Sequence, residues 1–262
     1  MNLMLCMHGE AEELPFLPEI AALGAGLELG SYGMMGVRSE SNWRTRLSMH
    51  EAVRSQFAGP LAVHGPFIGM DFAHIDHLLK EAVQHRMDLT FDAAQRLNAL
   101  RVVVHGGHKP EVDLFKIHGP WLRECTQFWR QEIRRWADAG IQIVLENDFQ
   151  DSPDLLVQLV DIVDSPFLGL CLDIGHQHAF STLDAAEWVR RMDKRLYHVH
   201  LHDNDRTGDH HWPLGRGTIC FEPLYESIQR HAPGATLSVE VQDTMETKMA
   251  DLRALAARFL VC

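Results

Sequence analysis

The sequence lacks the features of a membrane or secreted protein. No apolar run approaches the ~20 residues that a membrane-spanning helix needs, and the stretch MNLMLCMHGE has neither the basic start nor the apolar segment of a signal peptide. The five cysteines are dispersed without a CxxC pair, which is typical of reduced thiols and not of a disulfide framework. These absences predict a cytoplasmic protein with no membrane partner.

Basic charge is also scarce, with 24 Lys and Arg residues against 36 Asp and Glu and a formal net charge of −12. Proteins that hold a nucleic-acid backbone usually display basic patches, so this balance argues against a general nucleic-acid binder. Bound metal ions would reverse the local field, and nucleic acid therefore stays open as a less favoured partner. Histidine, by contrast, is abundant at 17 residues.

No GxGxxG turn, linker, low-complexity tract or repeat of about 20–50 residues is found. Short, almost wholly apolar runs instead alternate with amphipathic stretches of helical spacing, which is typical of parallel strands covered on both faces. The eight runs are residues 2–7, 26–30, 61–65, 101–106, 141–147, 168–175, 197–203 and 236–242. Eight β/α units in 262 residues predict an α/β fold, a (β/α)8 TIM barrel that forms one domain over residues 1–262.

Polar residues end the last six predicted strands, where the chemistry of such barrels is located. They are His64, His105, Glu146, Asp173, His200 and Glu240. A lone histidine at a strand end is more often structural, but Glu146 and Glu240 interrupt the apolar runs IVLEN and LSVEV, where an unpaired carboxylate costs on the order of several kcal/mol. A buried ion pair is the alternative, yet few Lys or Arg residues lie nearby, so the pattern favours a divalent metal site.

This set resembles the ligands of the xylose-isomerase-like barrels, a superfamily of sugar isomerases, epimerases and type IV apurinic-site endonucleases. In the isomerases and epimerases, Glu, Asp, His and Glu from strands five to eight hold one divalent ion. The resemblance assigns this core set to Glu146, Asp173, His200 and Glu240. The family's D-x-x-H pattern is matched by Asp173 and His176, and its substrate-holding arginine, six residues after the strand-seven histidine, is matched by Arg206.

The endonuclease pattern is present as well. Its HxxY/F, HxG and LEN elements are matched at His64, His105 and Glu146, and its D-x-H-x-x-LG-x-G segment is matched by DHHWPLGRG. That family binds three zinc ions with nine ligands. If more than one metal is bound, the resemblance therefore adds these ligands to the core set: His64, His105, His176, Asp209 and His211.

The neighbouring histidines of HVHLHDNDRTGDHH receive weaker roles. His198 shares a strand face with His200 because side chains alternate along a strand, so it is expected to support the ligands from inside the barrel. His202 and His210 are expected to be solvated or to support the ligands.

The preferred function is a divalent-metal-dependent isomerase or epimerase that acts on a small sugar, sugar phosphate or keto acid through an enediolate. Zinc or manganese, as one to three ions, would polarise the carbonyl, and Glu146 and Glu240 would act as acid and base. The residues expected to bind the carbohydrate are His176, Arg206, His64, His105 and Phe67.

The alternative is a phosphodiesterase with three zinc ions that acts on abasic DNA, with Glu146 bridging two of them. Phe67 lies where the endonucleases place an aromatic residue that inserts into DNA. The residues that would contact phosphates, unless they pair with nearby acids, are Arg38, Arg44 and Arg46. An inactive ligand-binding barrel is least favoured because the ligand set is intact. The tryptophans of WLRECTQFW predict either core packing or an interface in a homo-oligomer.

Overall fold

The computed structural model describes residues 1–30, 32 and 39–259. Its sheet is a closed barrel of eight parallel strands in sequence order, with the last strand paired to the first. The strands are β1 Asn2–Met7, β2 Gly26–Leu29, β3 Leu61–His64, β4 Arg101–His105, β5 Gln142–Glu146, β6 Leu168–Asp173, β7 Leu196–Leu201 and β8 Thr236–Val239. The predicted TIM barrel is confirmed, and each strand begins within one residue of the run that predicted it.

The helices follow the strands along the chain and cover the outside of the barrel. They are α1 Leu17–Ala22, α2 Glu40–Gln56, α3 His77–Arg96, α4 Pro110–Leu114, α5 His118–Asp138, α6 Asp154–Val163, α7 Ile174–Phe180, α8 Ala185–Met192, α9 Phe221–His231 and α10 Met245–Phe259. Among the helices of the described residues, none combines the length and the apolar composition that a bilayer span requires.

The main core lies between the helices and the outer face of the barrel. It contains fully buried tryptophans on three helices, including Trp43 on α2, Trp129 on α5 and Trp188 on α8. Trp121 and Trp129 of the WLRECTQFW segment are 3% and 0% exposed, so core packing is the correct interpretation for both.

The inside of the barrel is apolar on one side and polar on the other. Alternate positions of each strand face inward. One level below the strand ends, Val103, Val144 and Cys171 of β4, β5 and β6 form a small apolar cluster. At the same level, β2 and β7 carry Glu28 and His198, both 0% exposed. The polar side lies directly beneath the predicted ligands.

Candidate metal centre

The carboxylate of Glu146, at the end of β5, lies at the centre of the group formed by the strand ends. It is 1% exposed. Its Oε2 atom lies 3.2 Å from His64 Nε2 and 3.5 Å from His105 Nε2, and its Oε1 atom lies 3.2 Å from His200 Nδ1. Three predicted histidines from three strands therefore converge on one buried carboxylate.

The core set assigned by resemblance is brought together in space. Ligand atoms of its four members all lie within 4.8 Å of one another; the members are Glu146, Asp173, His200 and Glu240. The Nδ1 atom of His200 is 3.1 Å from Glu240 Oε2 and 3.7 Å from Asp173 Oδ2, in addition to its approach to Glu146. One nitrogen thus faces three carboxylates.

This arrangement fits a divalent cation better than it fits a set of hydrogen bonds. A single N–H group of His200 cannot satisfy three acceptors that approach the same nitrogen. The Oε2 atom of Glu240 is buried, and although His200 Nδ1 approaches it to 3.1 Å, none of the described residues donates to it in hydrogen-bonding geometry. Buried carboxylates and imidazoles whose lone pairs face a common point are the donor set that zinc and manganese take.

Two further groups adjoin the core set. His176, Asp209 and His211 form one group with ligand atoms within 4.8 Å, and His64 joins Glu146 and His200 in another. His105 is added through its contact with Glu146. The structure therefore brings all nine residues named by the endonuclease pattern into one network, in which Glu146 is shared between two groups.

Backbone carbonyls fix the orientation of three histidines in this network. The Nδ1–H group of His64 donates to Gly65 O at 2.9 Å, that of His176 to Asn147 O at 2.9 Å, and that of His211 to Glu240 O at 2.8 Å. A carbonyl can only accept, so in each ring Nδ1 carries a proton, and Nε2 is the nitrogen that faces the site and is available to a metal ion once it has lost its proton. This is how metal-binding histidines are commonly held.

Carboxylates orient two other histidines, and the sequence analysis named neither of these carboxylates. His105 Nδ1 contacts Asp148 Oδ1. His200 Nε2 donates to Glu28 Oε1 at 2.9 Å, which leaves Nδ1 for the core set. The signal for Glu28 was available, because it interrupts the apolar run GLELG just as Glu146 interrupts IVLEN.

His202 is not solvated, which corrects one of the two alternatives stated for it. It is 0% exposed, and its Nε2 atom lies 3.0 Å from both carboxylate oxygens of Asp173. Its ring stacks on that of His211 at 3.9 Å. His210 is partly exposed and contacts Thr207 and Asp205 instead. Of the two, only His202 supports the ligands.

A buried carboxylate organises the loop that carries Asp209 and His211. Asp203 is 0% exposed and accepts hydrogen bonds from four backbone N–H groups at 2.8–3.1 Å. The donors are Asn204, Gly215, Gly217 and Ile219. A Cβ atom at Gly217 would lie 2.4 Å from Asp203 Oδ1, so the close approach requires glycine.

The electrostatics of the centre favour positive charge. Burial raises the pKa of Glu146, but the surrounding histidines, His105 foremost, outweigh it and hold that pKa well below its usual value. Burial lowers the pKa of His64, but its hydrogen bond to Glu146 outweighs this and raises the pKa to about 9. The pKa of His211 is raised to about 9 in the same way by Asp209. The ionised carboxylates thus attract cations, whether protons or metal ions.

The predicted substrate-binding residues lie at different distances from this network. Phe67 is 38% exposed, and its ring stacks on His105 at 4.9 Å, so it borders the mouth of the site. Arg206 is exposed and donates to Ser181 O at 3.4 Å, so its role as a substrate ligand stays a prediction. Arg44 and Arg46 form ion pairs with Glu40 and Glu10, and Arg38 lies outside the described residues.

Comparisons with known proteins give the same fold. The family described as xylose isomerase-like TIM barrel matches residues 42–258. TTHB071 protein from Thermus thermophilus, in crystals soaked with ZnCl2, superposes with a TM-score of 0.74 at 28% identity over 98% of this chain and 99% of that one.

Two other similarities are of different kinds. A D-tagatose 3-epimerase-like protein superposes with a TM-score of 0.78 over 98% of this chain and 96% of that one; at 22% identity this is a likeness of fold alone. A probable endonuclease 4 of Mycobacterium tuberculosis is 27% identical over 196 residues, which is 70% of this chain and 73% of that protein.

Proposed function

The chain belongs to the xylose isomerase-like TIM barrel family, and on that premise we propose that it is a metal-dependent phosphoester hydrolase whose centre binds up to three divalent cations. One observation carries the proposal: the core set, the group of His176, Asp209 and His211, and the group of His64, Glu146 and His200 adjoin one another at the mouth of the barrel. An enzyme with one ion needs only the core set. The group of His176, Asp209 and His211 and the pair of His64 and His105 need a further explanation, and additional cations supply one.

The similarity to a protein named probable endonuclease 4 supports phosphoester chemistry, since that similarity extends over 70% of the chain. The zinc-soaked relative from Thermus thermophilus supports zinc as the ion to test first. Divalent ions bound at this centre would polarise the phosphate, lower the pKa of water and neutralise charge on the leaving oxygen.

The residues of the chain supply the framework for that chemistry. Glu146 can be shared between two groups because both of its oxygens face histidines. Asp209 holds His176 and His211 together through contacts of 3.2 and 3.0 Å. Phe67, stacked on His105 at the rim, can pack against an apolar or planar part of the substrate.

Metal analysis and a chromogenic assay test the proposal together. Protein purified without chelator is expected to contain close to three divalent ions per chain and to hydrolyse bis(p-nitrophenyl) phosphate. His211→Ala is expected to lose about one ion and most of the activity, because it removes one member of a three-residue group. His231→Ala, a partly exposed histidine of α9 paired with Asp193, is the matched control and should change neither quantity. One ion per chain without phosphoester hydrolysis would contradict the proposal.

The second candidate is the isomerase or epimerase predicted from the sequence, with Glu146 and Glu240 as acid and base. The position of Glu240 favours this candidate. The side chain of Glu240 is 17% exposed, whereas that of Glu146 is 1% exposed, so Glu240 can exchange a proton with a ligand at the mouth of the barrel. About one ion per chain, with deuterium from D₂O incorporated into a ketose, would favour this candidate. Incision of abasic duplex DNA would instead identify a nucleic-acid substrate for the hydrolase.

A further inference from the structure

A continuous series of buried polar contacts runs from the base of the barrel to His200. Arg101, the first residue of β4, donates from Nη1 to His198 Nδ1 at 3.2 Å. His198 Nε2 lies 2.8 Å from Glu28 Oε2, and the other oxygen of Glu28 lies 2.9 Å from His200 Nε2. Glu28, His198 and His200 are all 0% exposed, so no solvent competes for these contacts.

The chemistry of the groups fixes the direction of every hydrogen bond in the series. A guanidinium can only donate, so His198 accepts at Nδ1 and carries its proton on Nε2. That proton is donated to Glu28, whose second oxygen then accepts from Nε2–H of His200. A hydrogen on Nε2 of His200 leaves Nδ1 available to the core set.

We propose that Arg101, His198 and Glu28 are positioning residues that hold His200 with hydrogen on Nε2 and with Nδ1 directed at the metal ion of the core set. This inference rests on the proposed metal centre and extends it to residues that do not touch the ion. Three other histidines of the network are oriented by neutral backbone carbonyls. His200, like His105, is oriented by a charged side chain, and for His200 that side chain is in turn held by His198 and Arg101.

Packing alone does not account for these residues. At the same level of the barrel, β4, β5 and β6 fill the interior with Val103, Val144 and Cys171. Burying a carboxylate costs stability unless it is fully paired, and replacing buried ionic groups by apolar ones is often neutral or stabilising. Glu28 accepts hydrogen bonds from His198 and His200 on its two oxygens. The orientation that this imposes on His200 explains why these polar residues are buried here.

Glu28→Gln is a direct test because glutamine has one accepting and one donating end. Arg101 still forces His198 to donate, so the amide oxygen must face His198 and the NH₂ group must face His200. The Nε2 atom of His200 then has to accept, which moves its proton to Nδ1, in competition with the metal. Zinc affinity of the core set, measured by competition with a chelator, should fall by about 10–100-fold. In the metal-free protein, at a pH high enough that His200 carries a single proton, ¹⁵N NMR should show that proton on Nε2 in the wild type and on Nδ1 in the variant.

A second substitution separates orientation from structural damage. In Arg101→Met/Glu28→Gln, His198 is free to accept from the amide, so the amide oxygen can turn to His200 and restore hydrogen on its Nε2. Zinc affinity should then recover to within about threefold of Arg101→Met alone, for which only a small loss is expected. If the residues served only packing, the double variant would bind zinc at least as weakly as Glu28→Gln.

Glu132→Gln is the matched control, since Glu132 is also a buried carboxylate, 5% exposed, but lies on α5. It should change neither zinc affinity nor the NMR signals of His200. The proposal is overturned by an unprotonated Nε2 in the wild type, by unchanged zinc affinity in Glu28→Gln, or by no recovery in the double variant. The wild-type NMR spectrum tests the proposed position of the proton on His200 even if a variant does not fold. A wild type that binds no zinc would refute the proposed function and leave the spectral test of this series intact.

Discussion

Replacing Gly175 with alanine should displace His202 and disturb the metal centre from behind. Gly175 lies in α7, and a Cβ atom built on it would lie 1.8 Å from His202 Cε1 and 2.5 Å from His202 Nδ1. Atoms at such separations overlap, so either the imidazole or the helix must move. The ring is 0% exposed, stacks on His211 and contacts Asp173, so it has no open space into which it can turn.

The magnitude follows from these contacts. Restoring a carbon–carbon separation of about 3.5 Å requires a shift of about 1.5 Å or more. Such a shift breaks the 3.0 Å contacts between His202 and Asp173. Loss of a hydrogen bond to a charged group costs about 1.5–3 kcal/mol, and forced overpacking costs about 1–3 kcal/mol. We therefore expect Gly175→Ala to lower the free energy of unfolding by about 3–5 kcal/mol.

Urea denaturation of the metal-free protein measures this loss. Gly119→Ala is the control, because Gly119 is also helical but a Cβ atom there meets nothing within 4 Å; it should be neutral or stabilising by up to about 1 kcal/mol. In Gly175→Ala/His202→Ala the new methyl group occupies space left by the ring, so the double variant should be no less stable than His202→Ala. The reasoning is wrong if Gly175→Ala costs under about 1 kcal/mol or if the two losses simply add.

Three other predictions concern separate features. Asp203→Asn replaces one accepting oxygen by an NH₂ donor that would face backbone N–H groups, so the loop of residues 203–219 should be destabilised by about 2–4 kcal/mol. Hydrogen exchange of the loop amides would show this loss, and unchanged protection of those amides would contradict it. Burial lowers the pKa of His50 to about 4, so the unfolded chain takes up a proton first as the pH falls below about 6.5. Stability should therefore drop by about 3 kcal/mol between pH 6.5 and 4, and His50→Gln should reduce that slope in denaturation curves. Glu240→Gln should abolish turnover while keeping the melting temperature, and full activity would refute its assigned role.

The strands and their polar ends could be predicted because both are local patterns. An apolar run fixes where a buried strand lies, and a carboxylate that interrupts it stands out in the sequence, as at Glu146 and Glu240. The same rule applied to GLELG would have found Glu28, so that omission was avoidable. Resemblance to a known family then grouped residues that lie as much as 176 positions apart, from His64 to Glu240.

Other parts of the centre depend on contacts that no local pattern carries. Glu28 and His198 are 170 residues apart, and only the closure of the barrel brings them together. The role of Asp203 depends on a loop that returns four N–H groups to one carboxylate, and Gly175 is required only because His202 lies against it. The sequence allowed His202 to be solvated for the same reason, because its burial depends on the strand and the helix that pack around it.

The charge of the chain limits which phosphate esters suit the proposed centre. Three divalent ions would offset only half of the formal charge of −12. A long duplex needs a basic surface that displaces many counterions, whereas Arg44 and Arg46 are already paired with Glu40 and Glu10. Attraction for a phosphate is therefore expected at the mouth, where the carboxylates are themselves the ligands of the proposed cations. A substrate that presents one phosphate ester there, with an apolar or planar group against Phe67, gains this local attraction and avoids the repulsion of the remaining surface.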